Sequence, residues 1–255
     1  MLPRPRKRFG QHFLTDRHYL ERIAAAIDAQ GTDSMVEIGP GTGALTAALL
    51  PALAKLHAVE IDRDLAAELR RRFPAERLVV HEADALDFDF SVLPAPLRVV
   101  GNLPYNVSTP ILFRMAAIAE RLRDCVFMLQ QEVVDRTVAR AGTPEYGRLS
   151  VMLQYRFAMA RLLRVPPGAF TPPPKVDSAV VRMLPLGSDR LRARDEARFA
   201  AVVAAAFSQR RKTLRNAVKA LVDVGAFESA GIDPTRRGET LGVAEFVALA
   251  DAGEA

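Results

Sequence analysis

The chain has 255 residues, 49% of them apolar and 25% charged, a mix that excludes wholesale disorder and supplies a sizeable core. No apolar run approaches the roughly 18 residues that would span a bilayer, so no membrane role is expected. A single cysteine, Cys125, excludes an internal disulfide, and no cysteine–histidine cluster has zinc-ligand spacing, so no metal is expected either.

In chain order, the first ten residues carry Arg4, Arg6, Lys7 and Arg8 and no acid. No apolar signal stretch follows them, so the cytoplasm is the expected compartment. His18 to Ala29 has apolar residues at helical spacing. Met35 to Ile38 reads as a strand that runs straight into Gly39-Pro40-Gly41-Thr42-Gly43, and Ala44 to Leu53 as a helix. Leu56 to Ile61 is a second strand and Asp64 to Phe73 a second helix. Leu78 to Val80 is a third strand, followed by Asp84, and Leu97 to Val100 a fourth, followed by Gly101-Asn102-Leu103-Pro104-Tyr105. A helix over Thr109 to Ala119, a strand over Cys125 to Leu129 and a strand from Ala179 to Leu184 complete the alternation. Alternating strands and helices predict an α/β fold with a parallel sheet, whose ligands lie beyond the carboxyl ends of the strands. Leu184 to Asp189 reads as a linker. Beyond it, Asp195 to Ser208 and Lys212 to Val222 are helical by pattern. Two domains are therefore expected, 1–186 and 187–255, the second small and helical.

Charge is unevenly placed. Residues 24–90 hold 12 acidic and 6 basic side chains, residues 136–182 hold 2 acidic and 8 basic, and residues 197–222 hold 6 basic and no acidic ones. Cations gathered into blocks suit a polyanionic partner such as nucleic acid, although a solvated face would have the same composition.

The motifs sit where ligands of such sheets bind. Glycines 39, 41 and 43 allow close backbone approach to a ligand, and Glu60, 19 residues after Gly41, is placed to accept from both ribose hydroxyls. This pattern does not choose between a nicotinamide cofactor and S-adenosylmethionine (SAM). Asp84 is positioned to accept from an adenine amino group, and Asp equally caps turns. An exocyclic adenine amine is a poor nucleophile, because its lone pair is delocalised into the ring. It needs acceptors for its N–H bonds, and the Asn102 side chain with a backbone carbonyl at Leu103 or Pro104 supplies them. Tyr105 offers a flat face for a base pulled from its stack. Phe170 opens a stiff run, Phe170-Thr171-Pro172-Pro173-Pro174-Lys175-Val176-Asp177-Ser178, which suits either a second face for that base or a plain polyproline connector. Arg6, Lys7 and Arg8 beside aromatics, and Arg210, Arg211 and Lys212 near a helix start, are candidate phosphate contacts. Cys125, His57 and His81 read as structural.

Taken together, Phe9 to Leu14, Glu37 to Gly43, Glu60, Asp84, Asn102 to Asn106, Phe170 to Val181 and Gln209 to Asn216 closely resemble the bacterial small-subunit (16S) rRNA adenine N6,N6-dimethyltransferases. The resemblance runs over nearly the whole chain. It implies a Rossmann-like SAM-binding domain with a small helical C-terminal domain that binds RNA. It further implies that His12, Leu14, Gly39, Glu60, Asp84 and Asn102 line the SAM site, that Asn102 and Pro104 orient the amine, and that Tyr105 and Phe170 pack the base. The implied substrate is two adjacent adenosines near the 3′ end of 16S rRNA in an immature small ribosomal subunit, met by a monomer. His12 departs from the Asn common in that family, and a histidine could make cofactor affinity depend on pH. Three rivals are a large-subunit rRNA adenine methyltransferase, an RNA-binding assembly factor with secondary or vestigial methylation, and a nicotinamide dehydrogenase.

Overall fold

Asp16 starts the first helix, its carboxylate accepting from the backbone amides of His18 (2.8 Å) and Tyr19 (3.4 Å). In the computed structural model, which describes residues 12–188, 190–209 and 211–252, that helix, α1 (Arg17–Ile27), follows a short strand, β1 (Phe13–Leu14), and ends where Asp28 turns left-handed at φ 53°. After β2 (Ser34–Ile38), α2 covers only Ala44–Leu49, and Pro51 then sits in a single 3-10 turn, so the expected helix to Leu53 is cut short. There follow β3 (Leu56–Glu60), α3 (Arg63–Arg72), β4 (Leu78–Glu82), β5 (Leu97–Asn102), α4 (Ser108–Ala117) and β6 (Leu122–Gln130).

The next stretch carries three elements that the sequence pattern does not announce: α5 (Gln131–Val138), α6 (Arg148–Gln154) and β7 (Phe157–Val165). Then come β8 (Phe170–Thr171), β9 (Ser178–Pro185), α7 (Glu196–Ser208), α8 (Leu214–Val218), α9 (Val224–Ala230) and α10 (Val243–Ala252). Seven strands form one sheet in the order β4-β3-β2-β5-β6-β9-β7. The pairs β2–β3, β3–β4, β2–β5 and β5–β6 are parallel, and β6–β9 is antiparallel. Strand order reverses between β2 and β5, the switch point at which open α/β sheets bind ligands. A separate two-stranded ribbon pairs β1 with β8, Leu14 opposite Phe170.

The chain divides into two compact units, one of residues up to 134 with 159–185, the other of 135–158 with 186 onward. The expected boundary near 186 therefore leaves out Asp135–Ala158, which pack with the later helices. The Tyr146 hydroxyl donates to the Leu241 carbonyl (2.9 Å), and the Tyr155 ring lies 4.4 Å from that of Phe199. The core of this second unit is built on Phe199, Val203, Leu214, Phe227 and Phe246, and that of the first on residues such as Ile27, Met35, Leu56 and Val180. Cys125 is buried and free in β6. Among the described residues, no helix is long and apolar enough to cross a membrane, and no His/Cys/Asp/Glu group could hold a metal ion.

Candidate functional site

At the carboxyl ends of β2, β3, β4 and β5, one cavity is lined by His12, Leu14, Gly39, Glu60, Asp84, Asn102, Pro104 and Tyr105. These residues come from five separate stretches of sequence. Gly39, Gly41 and Gly43 all have positive φ (64°, 58° and 76°), which side-chain-bearing residues rarely adopt. A Cβ on Gly41 would also stand 3.0 Å from the Phe13 ring, so the loop passes close beneath the β1 arm.

The glycine loop is fastened to β3 by Glu60. One carboxylate oxygen accepts from the Gly41 amide (3.1 Å) and the other from the Asp62 amide (2.9 Å). Each oxygen keeps a lone pair for a further donor. Burial, helped by the nearby Asp62 charge, pushes the Glu60 carboxyl up, against the Asp62, Gly41 and Ile61 amides that hold it down. Asp84 caps the turn after β4, its Oδ1 accepting from Leu86 (2.9 Å), and still lines the cavity with its other oxygen unbonded among the described residues.

Glu37, for which sequence reasoning assigned no role, lines the same cavity from β2. It is buried, its carboxylate accepts from the Thr46 hydroxyl (2.6 Å), and burial with the nearby Glu60 charge pushes it up to about 7 despite that bond. A glutamate inside an otherwise apolar strand was the available signal. Phe13, lining the cavity above Gly41, was likewise unassigned.

Asn102 ends β5 and its Nδ2 donates to the His12 carbonyl (2.9 Å). A carbonyl only accepts, so the amide nitrogen is committed to that side and Oδ1 is the free acceptor of the pair. The Pro104 carbonyl accepts from Val107 (3.2 Å) and keeps a second lone pair. His12 Nδ1 lies 2.9 Å from the Pro172 carbonyl, and the His12 ring stacks on that of Tyr105, centroids 5.6 Å apart at 27°.

Phe170 is placed elsewhere. It is 3% exposed, does not line the cavity and packs in the core of the sheet unit, because pairing β8 with β1 turns its side chain inward and leaves Thr171 outward. The expectation that it packs the base is therefore corrected. Neither His57 nor His81 lines the cavity, and the two rings stack on each other with Nδ1 and Nε2 3.0 Å apart. In the second unit, Arg211 and Lys212 precede α8, both exposed and without an ion pair among the described residues. Arg6, Lys7, Arg8 and Arg210 lie outside the described residues.

The cavity carries three carboxylates, from Glu37, Glu60 and Asp84, and among the described residues no Lys or Arg lines it. Such a site repels the pyrophosphate of a dinucleotide and suits a nucleoside that carries positive charge.

A model of the ribosomal RNA adenine dimethylase family matches residues 3–252. The chain is 59% identical over 246 residues to ribosomal RNA small subunit methyltransferase A of Aromatoleum aromaticum, covering 96% of this chain and 93% of that one. It is also 59% identical to the protein of the same name from Laribacter hongkongensis, covering 97% and 95%. Among solved structures, a dimethyladenosine transferase from Plasmodium falciparum superposes with a TM-score of 0.81 at 26% identity, over 93% of this chain and 96% of that one. The 23S rRNA methyltransferase ErmE, at 24% identity and a TM-score of 0.75 over 95% and 100%, shares the fold. The chain belongs to the ribosomal RNA adenine dimethylase family.

Proposed function

We propose that the chain dimethylates the N6 amines of two adjacent adenosines near the 3′ end of 16S rRNA, acting as a cytoplasmic monomer on an immature small ribosomal subunit. The observation that carries this reading is the commitment of the Asn102 amide nitrogen to the His12 carbonyl, which leaves Oδ1 as an acceptor in a carboxylate-lined cavity beside the glycine loop. SAM, when bound, supplies a methyl group on a sulfonium whose C–S bond breaks toward sulfur as the amine nitrogen attacks in line.

The chain's own residues do the positioning. Glu60 accepts the ribose hydroxyls, Asp84 the adenine amino group, and Gly39 and Leu14 shape the walls, with His12 closing the site from the β1 arm. Asn102 Oδ1 and the spare lone pair of the Pro104 carbonyl hold the target amine's N–H bonds, so that its lone pair points at the methyl group. The amine becomes acidic once methylated, and its proton leaves to water. Orientation of this kind removes much of the barrier without a strong base. Tyr105 supplies the face for the flipped base. Arg6, Lys7, Arg8, Arg210, Arg211 and Lys212 supply phosphate contacts, those of the second unit making it an RNA-binding domain.

The test is transfer of tritiated methyl from SAM to immature small subunits, with mass analysis of the modified base. Wild type should yield N6,N6-dimethyladenine, and Asn102→Ala should lose about a hundredfold in single-turnover rate while the particle still binds. Transfer only to large-subunit RNA, or particle binding with no methylation, would replace this reading with one of its rivals.

A further inference from the structure

The turn that carries Tyr105 has little backbone support of its own. Leu103 donates to the Met128 carbonyl (3.1 Å), and Val107 closes back on Pro104. Tyr105 itself is held at both ends by serines with almost no solvent access. Ser108 Oγ donates to the Tyr105 carbonyl at 3.1 Å, and the Tyr105 hydroxyl lies 2.7 Å from Ser178 Oγ. Ser108 is 1% exposed and Ser178 0%.

Ser178 is a firm anchor. It opens β9 opposite Gln130 of β6, and the carbonyl of the preceding Asp177 accepts from the Gln131 amide (2.9 Å). Its hydroxyl has no other partner among the described residues. A hydroxyl shut off from water is costly to leave unbonded, so a Tyr105 ring that swung away would strand it. The contact therefore ties the tip of the ring to the central sheet across 73 residues of sequence. A tyrosine free to turn about its side-chain bonds would offer a base many angles. The hydroxyl contact fixes where the ring axis lies, and the His12 ring stacked on it, centroids 5.6 Å apart at 27°, limits its turn about that axis.

We propose that Ser178 is a positioning residue for methyl transfer, its buried hydroxyl holding the axis of the Tyr105 ring in the place where the target adenine lies, with Ser108 fixing the backbone end. This rests on the reading of Tyr105 as the base platform. Ser178 touches neither cofactor nor base; it acts through the ring.

The experiment is single-turnover methylation of immature small subunits at saturating SAM and saturating particle, for Ser178→Ala, Tyr105→Phe, the double variant and Tyr105→Ala. SAM affinity is measured by calorimetry on each. Ser178→Ala and Tyr105→Phe should each slow the step about tenfold, with SAM affinity unchanged, because the ring is present but loosely aimed. The double variant should be no slower than either single one, since both remove the same hydrogen bond. A wild-type rate in Ser178→Ala, or two effects that multiply, overturns the proposal. Should Ser178→Ala fail to fold, as loss of SAM binding would show, Tyr105→Phe breaks the same bond from the other side, and a wild-type rate there overturns it equally. Tyr105→Ala separates the two readings. If it is slow while Ser178→Ala is not, only the serine inference fails; if it is as fast as wild type, the platform itself is wrong.

Discussion

The two ends of the parallel sheet treat buried charge in opposite ways. At the amino ends, Arg98 of β5 is enclosed by acids. Its guanidinium donates to both oxygens of Asp124 (2.8 and 2.9 Å), to Asp33 (2.6 Å) and to the carbonyls of Ile27 (2.5 Å) and Asp28 (2.9 Å). Arg123 adds a second bond to Asp33. At the carboxyl ends, Glu37, Glu60 and Asp84 have amides and one hydroxyl as partners, and no Lys or Arg lines their cavity among the described residues. Charges that close on one another belong to the fold. Glu37 and Glu60, buried and left without a cation, are pushed toward neutrality, and a positively charged ligand relieves them. Fixed charge alone thus separates the structural end of the sheet from the working end.

The largest effect comes from breaking the closed network. Arg98→Ala takes the buried cation from Asp124 and Asp33, leaving Asp33 its exposed partner Arg123, and removes the charged donor of the Ile27 and Asp28 carbonyls, and should cost about 3–5 kcal/mol of stability. Urea denaturation measures it. SAM affinity of the folded protein should not change, since none of these groups reaches the cavity. A variant with wild-type stability would show that the network does not hold the amino end together.

At the open end, Glu60→Ala should do the reverse. Loss of a charged acceptor for the ribose hydroxyls should weaken SAM binding by roughly 1.5–3 kcal/mol, with little loss of stability beyond freeing the Gly41 and Asp62 amides. Unchanged SAM affinity in calorimetry on the folded variant would remove Glu60 from the site.

The open end was the more legible of the two in sequence, for a physical reason. Gly39 to Gly43, Glu60 and Asp84 each lie at or just beyond a strand end, so strand position alone places them in one crevice. Arg98 and Asp124 sit in strands that read as apolar, and their pairing across adjacent strands has no local signature. The aromatic side of the cavity was only half legible for the same reason. Asn102 and Tyr105 stand at a strand end, but their supports lie far off in sequence: His12 is 90 residues from Asn102, and Ser178 is 73 from Tyr105. Phe170 was misplaced because the pairing of β8 with the β1 arm decides which way its ring points. Strand β7 had no signal because it lies at the edge of the sheet, where Ala158, Arg161 and Arg164 face solvent and break the apolar run.

Unpaired charge of the other sign marks the second unit. Arg211 and Lys212 are exposed and, among the described residues, have no acid partner, unlike Arg236, which pairs with Glu245. Binding to small-subunit particles should weaken steeply with salt, and neutralising Arg211 and Lys212 together should flatten the log–log slope by roughly one for each phosphate they no longer neutralise. Neutralising Arg236 should leave the slope alone. Equal slopes for wild type and the Arg211/Lys212 variant in a filter-binding titration would make that pair a solvated face.

The proton on Glu37 probes the open end most directly. Its carboxyl is pushed up from the ordinary 4.5 to about 7, chiefly by burial. Below 4.5 the group is neutral in both the folded and the unfolded chain, so it contributes nothing. As pH rises from 4.5 to about 7, the unfolded chain ionises first, and the ligand-free protein loses about 3 kcal/mol of stability, after which the loss is constant. A ligand with a sulfonium and an ammonium group favours the ionised form, so binding within that window should expel a proton. SAM affinity should then climb with pH up to about 7 and level off above it. Glu37→Gln keeps an acceptor for the Thr46 hydroxyl but has no proton to lose. It should flatten the affinity profile and stabilise the free protein above the window. Calorimetry inside the window, in two buffers of different ionisation enthalpy, reads the proton directly. Identical heats for wild type would mean that Glu37 never meets the ligand's charge. A buffer dependence that survives in Glu37→Gln would move the proton to Glu60, whose carboxyl burial raises in the same direction.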